Sequence, residues 1–278
     1  MSRKAVFLDV DGTLVNDRGL VPDSAQQAVH LARDNGHLVF LCTGRSMSEL
    51  WPEIIEIGFD GVVAAAGGYV ETGGKVLAEH HIPVEEVRRV TEFFDSLGVD
   101  YFLESNTGLF GSPGVQARLR HLIFGPVADE DVLAELERGL GGFIDSVVVG
   151  ADPESIRINK VSFLDSPVTL AEIRAEFADV FDVIPATVPM FGSNSGELSL
   201  RGVHKAAGIE VLIGHLGIDR ADTMAIGDGY NDLEMLQHVA IGIAMGNAPQ
   251  QVKDVADEVT VTPDEHGIHA SFAKHGLI

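Results

Sequence analysis

Residues 5–13 of the chain read AVFLDVDGT, and the first four form an apolar run that stops at Asp9. A run of this length and composition predicts a short strand that is buried on both faces. Further strand-like runs occur at 37–42, 62–66, 223–226, 240–245 and 258–261. Predicted helices separate several of these runs, at 23–35, 205–216 and 231–238. Buried strands that alternate with helices predict an α/β fold with a doubly wound, Rossmann-like parallel sheet.

Three polar residues come directly after predicted strands. Asp9 follows the first strand, Thr43 follows the second, and Asp228 lies in the Gly227-Asp228 pair that ends a C-terminal strand. Parallel sheets of this class bind their ligands beyond the carboxyl ends of the strands. We therefore expect the functional site at this edge of the sheet.

The composition excludes several classes of protein. The chain has 278 residues, a formal net charge of −23 and a single cysteine, Cys42. So large a negative charge repels nucleic acids and anionic membranes, and one cysteine excludes an internal disulfide framework. No run of 18 apolar residues and no signal peptide is present, which predicts a soluble, cytoplasmic protein.

The middle of the chain predicts a second domain. Thr43 and Lys205 are 162 residues apart, much farther than one crossover between parallel strands needs. Helical patterns at 84–97, 130–140 and 169–180 alternate there with strand-like runs. We expect a catalytic core at residues 1–82 and 191–278, with an α+β domain inserted at 83–190.

Asp9 and Asp11 form a pair of carboxylates at the end of the first strand. If the chain is still extended there, both side chains point to the same side. Like charges so close favour a bound cation or a carboxyl that keeps its proton, and either suits acid–base chemistry with a metal. The alternative is a solvated turn, because Asp and Gly are common turn residues.

Two further segments offer groups for an anion and a metal. Thr43-Gly44-Arg45 precedes a helix, where a hydroxyl and free backbone amides suit a phosphate oxyanion. The segment 227–232 reads GDGYND, and its carboxylates suit magnesium. Either segment could instead be a helix cap. Lys205 begins a helix, which is an unfavourable end for a cation, and a ligand anion would compensate for this. The alternative is an exposed lysine.

Taken together, these segments resemble the four motifs of the haloacid dehalogenase superfamily, in the same order along the chain. The matching positions are Asp9-Val-Asp11-Gly12-Thr13, Thr43, Lys205 and Gly227-Asp228 with Asn231-Asp232. The long insert looks like the type-IIB cap of the Cof-like phosphatases, and Met245-Gly-Asn-Ala248 is similar to the tail of that subfamily. One departure is Gly67-Gly68, where many relatives have Asn-Gly.

The resemblance implies phosphoryl transfer through an aspartyl-phosphate. Asp9 would be the nucleophile and Asp11 the general acid and base, with Thr43 and Lys205 completing the catalytic set. The implied ligands of Mg²⁺ are Asp9, Asp11 through its backbone carbonyl, Asp228, and Asp232 through water. The implied phosphate-binding residues are Thr43, Gly44, Arg45, Lys205 and Asn231.

The sequence therefore predicts a magnesium-dependent phosphatase that acts on small phosphomonoesters such as sugar phosphates. The expected partner is a small phosphorylated metabolite, with no nucleic acid and no membrane. One alternative is a phosphomutase or phosphotransferase that uses the same aspartyl-phosphate. Another is a regulator that binds phosphometabolites without turnover.

Overall fold

A computed structural model describes residues 3–125, 127, 129–186, 191–192 and 194–278. The chain divides into two compact units. The first comprises Met1–Arg45, Leu50–Glu79 and Val203–Ile278, and the second comprises Ser46–Glu49 and His80–Gly202. The expected domain limits at residues 1 and 190 lie outside the described residues.

The described residues form strands and helices with the following limits. The strands are β1 (Ala5–Leu8), β2 (Leu38–Cys42), β3 (Gly61–Ala64), β4 (Tyr69–Thr72), β5 (Lys75–Glu79), β6 (Asp100–Ser105), β7 (Gly108–Gly111), β8 (Val147–Val149), β9 (Lys160–Leu164), β10 (Phe181–Pro185), β11 (Gly196–Leu200), β12 (Thr223–Gly227), β13 (Ile241–Ala244) and β14 (Glu258–Val259). The helices are α1 (Asp23–Asp34), α2 (Pro52–Ile55), α3 (Val84–Leu97), α4 (Val115–Phe124), α5 (Glu130–Ser146), α6 (Leu170–Phe177), α7 (Lys205–Leu216), α8 (Leu233–His238), α9 (Gln250–Lys253) and α10 (Gly267–Lys274).

The first unit is built on a mostly parallel sheet, which confirms the predicted fold class. Within the described residues its strand order is β14-β13-β12-β1-β2-β3-β4-β5, and all strands from β14 to β3 run parallel. The antiparallel hairpin β4–β5 extends the sheet at one edge. The sequence prediction did not include this hairpin. Its two strands are joined by the glycine pair 73–74, whose positive φ angles suit a tight turn.

Helices cover both faces of this sheet. Side chains of α7 and α8 share one apolar core with Phe7 and Phe40, whose rings stack at 5.3 Å between centroids. Val6 and Val39 point to the opposite face because side chains alternate along a strand, and α1 packs there against β2 and α10. The continuous apolar runs of β1 and β2 are explained by burial on both sides.

The second unit is an α+β layer, as the sequence predicts for the inserted domain. Its sheet has the order β10-β11-β9-β6-β7-β8 in the part of the chain that the structure describes. Pairing is antiparallel except between β7 and β8. Phe163 of β9 stacks on Phe94 of α3 at 4.9 Å, whereas Phe102 and Leu164 face the core beneath α4 and α5.

The second unit extends beyond both ends of the expected range, residues 83–190. The second unit begins at His80 rather than residue 83 and continues to Gly202, beyond residue 190. The later end has a clear cause, because β11 pairs with both β9 and β10 and completes the second sheet. No helix among the described residues is long and apolar enough to cross a membrane.

The sheet of the second unit contains a buried ionic cluster. Lys160 Nζ lies 3.1 Å from Glu104 Oε2 and 2.8 Å from Glu197 Oε2, and all three side chains are almost fully buried. Ser162 donates a further hydrogen bond of 2.6 Å to Glu104. Burial raises the pKa of Glu104 although Lys160 acts to lower it. One ammonium group thus offsets the repulsion between two glutamates on the same face of the sheet.

We predict that Lys160→Met destabilises the protein by about 3–5 kcal/mol, because it leaves two buried carboxyl groups without their cation. The triple variant Lys160→Met, Glu104→Gln, Glu197→Gln should recover more than half of that loss, since it removes the charges together. Chemical denaturation measures both values. The control is Lys75→Met, which removes an exposed lysine of β5. Equal losses in the single and triple variants would contradict the assignment.

Candidate active site

The strand order brings the predicted acidic residues to one place. β1 lies between β12 and β2, with Leu8 opposite Ile226 on one side and Leu41 on the other. The amide of Asp9 continues the ladder by donating to the carbonyl of Ile226 at 3.0 Å. Asp9 and Asp228 therefore leave neighbouring strands at the same edge of the sheet.

Lys205 lies at the centre of this edge and is completely buried. Its Nζ donates hydrogen bonds of 2.5 Å to Asp9 Oδ1 and to Asp232 Oδ1. Burial acts to lower the pKa of Lys205, but Asp232 and Asp9 raise it above its usual range, so the side chain is an ammonium ion. Because the side chain is fully buried, the alternative of an exposed lysine is wrong.

Asp232 uses both of its carboxylate oxygens within the site. Oδ1 accepts the hydrogen bond from Lys205, and Oδ2 accepts the amides of Asp228 and Gly229 at 2.9 and 2.8 Å. The side chain is fully buried. These contacts hold the loop after β12 against the ammonium group, so Asp232 fixes the position of Asp228.

Asp228 is held from two other segments of the chain. Thr13 donates its hydroxyl to Asp228 Oδ1 at 3.1 Å. The side-chain nitrogen Nδ2 of Asn247 donates to Asp228 Oδ2 at 3.0 Å and also to the carbonyl of Gly12 at 2.9 Å. Gly12 has a φ of +77°, and a Cβ there would lie 2.2 Å from Asp228 Oδ2. The Asp-Gly-Thr order after β1 thus brings the first loop against the carboxylate of Asp228.

Asp9 and Asp11 have different surroundings. β1 ends at Leu8, and the chain turns, since the amides of Leu14 and Val15 bond to the carbonyls of Asp9 and Val10. Asp9 is buried against Lys205, whereas the Asp11 side chain is 51% exposed.

The predicted phosphate-binding segment follows β2. Thr43 is buried, its amide bonds to the carbonyl of Val63 at 2.8 Å, and its hydroxyl accepts the amide of Arg45 at 3.1 Å. Arg45 forms a two-point ion pair with Asp11, with distances of 2.8 and 2.6 Å. Asn231 is half-buried in the turn Tyr230–Asp232 that follows Gly229.

The carboxylates of the site suit a divalent cation. Asp9, Asp228 and Asp232 each offer an oxygen, and these oxygens lie within 4.8 Å of one another. Burial and the charge of Asp232 raise the pKa of Asp9 well above its usual range, and they raise that of Asp228 to about 7. Hard oxygen ligands with excess negative charge fit Mg²⁺.

Comparison with known proteins agrees with this geometry. The sequence profile of haloacid dehalogenase-like hydrolases matches residues 6–271. The chain belongs to the haloacid dehalogenase-like hydrolase family. It is 28% identical to the putative phosphatase YkrA and to the phosphatase YwpJ, both of Bacillus subtilis. The alignment covers all of this chain and of YkrA, and 99% of this chain and all of YwpJ.

A solved structure extends the comparison to the fold. A subclass IIB sugar phosphatase is 25% identical, with a TM-score of 0.79, and the match covers 99% of this chain and 100% of that one. The family prediction and the predicted fold with its type-IIB cap are confirmed. The prediction of an enzyme of phosphatase type is confirmed as well.

Gly67, the departure from many haloacid dehalogenase relatives, has a structural reason in this chain. Its φ is +101°, and a Cβ at this position would lie 2.3 Å from the carbonyl of His204. His204 directly precedes Lys205, and its ring accepts the amide of Ala207 at the start of α7. A glycine at position 67 therefore allows the backbone to approach the helix that carries the buried lysine.

Sequence reasoning missed the role of Asn247. The Met245-Gly-Asn-Ala248 segment is similar to the subfamily tail, but this similarity assigns no task to its asparagine. Its role in holding the carboxylate of Asp228 depends on contacts with Gly12 and Asp228, which are 235 and 19 residues away. The proximity of residues 247 and 12 comes from the parallel sheet and leaves no local pattern.

We predict that metal-free protein loses stability as the pH rises from about 4 to 7. The pKa of Asp228 is about 7 in the folded chain and 3.8 ordinarily, so the folded state binds more protons in this window. Mg²⁺ should relieve the repulsion and stabilise the protein more at pH 8 than at pH 5. Thermal unfolding checks this, and Asp228→Asn should flatten both responses. An equal Mg²⁺ effect at both pH values would contradict it.

We also predict that Asn247→Ala weakens Mg²⁺ binding by about 10–100-fold, because the amide no longer orients the carboxylate of Asp228. Calorimetric titration with Mg²⁺ in the absence of substrate measures this effect. The matched control is Asn35→Ala, which removes an amide hydrogen bond to the carbonyl of Leu277. If both variants bind Mg²⁺ like the original chain, Asn247 has no positioning role.

Proposed function

We propose that this chain is a magnesium-dependent phosphatase that hydrolyses small phosphomonoesters, such as sugar phosphates, through an aspartyl-phosphate on Asp9. The observation that carries the proposal is the buried contact of Lys205 with Asp9 and Asp232, next to Asp228. This arrangement combines a nucleophilic carboxylate, a fixed cation and acidic ligands for a metal. The subclass IIB sugar phosphatase supports the choice of substrate class.

The metal would be held by Asp9, the backbone carbonyl of Asp11 and Asp228, with Asp232 holding one of its water ligands. When bound, Mg²⁺ supplies positive charge that favours the ionised carboxylates and offsets the charge of the phosphate. Asp232 also bonds to Lys205 and to two loop amides, so it would orient the site as well.

In the first step, Asp9 attacks phosphorus. We assign the attack to Oδ2, because Oδ1 accepts the hydrogen bond from Lys205. The bond between Asp9 and phosphorus forms, and the bond from phosphorus to the leaving oxygen breaks. Asp11, which enters this step in its protonated form, gives that oxygen its proton and becomes a carboxylate. The partial exposure of Asp11 suits a group that exchanges protons with a leaving group and with water.

In the second step, a water molecule attacks phosphorus, and Asp11 takes its proton. The bond between phosphorus and Asp9 breaks, which releases inorganic phosphate and restores the carboxylate. The phosphate oxygens carry negative charge throughout both steps. They would bind the hydroxyl of Thr43, the amide of Gly44, and the side chains of Arg45, Lys205 and Asn231.

We predict that Asp9→Asn lowers turnover by about 10⁴-fold or more, the scale of losing a nucleophile. Release of phosphate from a panel of sugar phosphates with Mg²⁺ measures the effect, and thermal unfolding checks that the variant folds. The matched control is Asp17→Asn, at an exposed position. An active Asp9→Asn variant would overturn the nucleophile assignment.

Hydrolysis in ¹⁸O-labelled water tests the second step. Hydrolysis of the aspartyl-phosphate by water places one labelled oxygen in each released phosphate. A phosphotransferase would instead form a new phosphate ester on an acceptor hydroxyl, with no label in the product. Absence of turnover over the whole panel would favour a regulator that only binds phosphometabolites.

A further inference from the structure

Arg45 holds the carboxylate of Asp11 in one orientation. Its Nε donates to Asp11 Oδ2 at 2.8 Å, and its Nη2 donates to Asp11 Oδ1 at 2.6 Å. This two-point geometry restricts rotation of the carboxylate, which a single contact would not do. The side chain of Arg45 is 15% exposed, against 51% for Asp11, so the more buried partner fixes the more exposed one.

Arg45 is itself held by Trp51, the one tryptophan of the chain. The Cζ atom of the guanidinium lies 4.3 Å from the centroid of the indole ring. A guanidinium over an aromatic face gains electrostatic attraction and loses mobility. Trp51 precedes Pro52, the first residue of α2, and its backbone is extended with φ −66° and ψ 147°.

The far edge of the indole ring lies against the loop after β1. A Cβ at Gly19 would be 3.7 Å from Trp51 Cη2, so Gly19 lies close to the edge of the ring. The loop is fixed by Asn16, whose Oδ1 accepts the amides of Arg18 and Leu20 at 3.0 Å each. The indole ring thus lies near this loop and carries Arg45 over its face.

We propose that Trp51 is a positioning residue that acts through Arg45 to fix the orientation of the Asp11 side chain for its acid–base role. The proposal rests on the proposed function, in which Asp11 is the proton donor. Asp11 is half-exposed and lies three residues beyond the end of β1. The contacts of Arg45 and Trp51 supply that orientation before substrate binds, which lowers the entropy cost of the reactive geometry.

This role has a consequence that depends on the leaving group. An alkyl phosphate releases a strongly basic alkoxide and needs the proton, whereas p-nitrophenyl phosphate releases a weak base and needs it little. Loss of the aromatic support should therefore lower kcat/KM for a hexose phosphate much more than for p-nitrophenyl phosphate. A merely structural defect would lower both values by the same factor.

The test compares Trp51→Leu with Trp51→Phe, using both substrates and Mg²⁺. Trp51→Leu should lower kcat/KM about tenfold for the hexose phosphate, a part of the full effect of general acid catalysis, and less than threefold for p-nitrophenyl phosphate. Trp51→Phe keeps an aromatic face and should restore most of the loss. The control is Ile55→Ala, which changes an exposed side chain of α2, the short helix that follows Trp51.

The outcomes separate the two proposals. If the original chain hydrolyses neither substrate, the proposed function fails. If the original chain hydrolyses both and Trp51→Leu changes the two values equally or not at all, the positioning role of Trp51 is overturned. Fluorescence gives an independent readout, because Arg45→Met should shift the emission of Trp51 to longer wavelength. An unchanged emission spectrum would contradict the contact between the two side chains.

Discussion

The site depends on a single ammonium group that has no access to water. Lys205 is fully buried, and its Nζ bonds to Asp9 from β1 and to Asp232 from the loop after β12. Removing three charges from water costs several kcal/mol for each ion, and only their mutual attraction offsets this cost. Because the three groups come from distant parts of the chain, the folded core must bring them together. The same contact orients Asp9, the nucleophile that we propose, and fixes the loop that carries Asp228.

Much of this arrangement could be predicted from the sequence, for a physical reason. Parallel strands must end at a common edge, so residues that follow buried apolar runs become neighbours without any knowledge of their contacts. This logic places Asp9, Thr43 and Asp228 together. For Lys205 at a helix start it predicts a ligand anion, whereas in the folded chain the buried carboxylates of Asp9 and Asp232 already bond to the ammonium group.

The remainder could not be predicted because it depends on contacts that have no local pattern. Gly67 is required because the carbonyl of His204 comes close to it, and β11 joins the second sheet by pairing with β9 as well as with β10, its neighbour in sequence. Asn247 bonds to Gly12 of the first loop, 235 positions away. Trp51 contacts Arg45, which in turn bonds to Asp11 of the same loop, 40 positions from Trp51. Hydrophobic periodicity indicates which face of a helix or strand is buried, but it does not indicate which side chains are in contact.

The pair Asp9 and Asp11 shows how two identical side chains come to differ in chemistry. Both residues follow β1, but their side chains have different partners. Asp9 is buried and bonded to an ammonium group, which suits an ionised carboxylate that must attack phosphorus. Asp11 is half-exposed and held by a guanidinium that rests on an indole ring, which suits a group that passes a proton to a leaving oxygen and takes one from water. The different partners of the two carboxylates therefore suit the two roles that we propose for them.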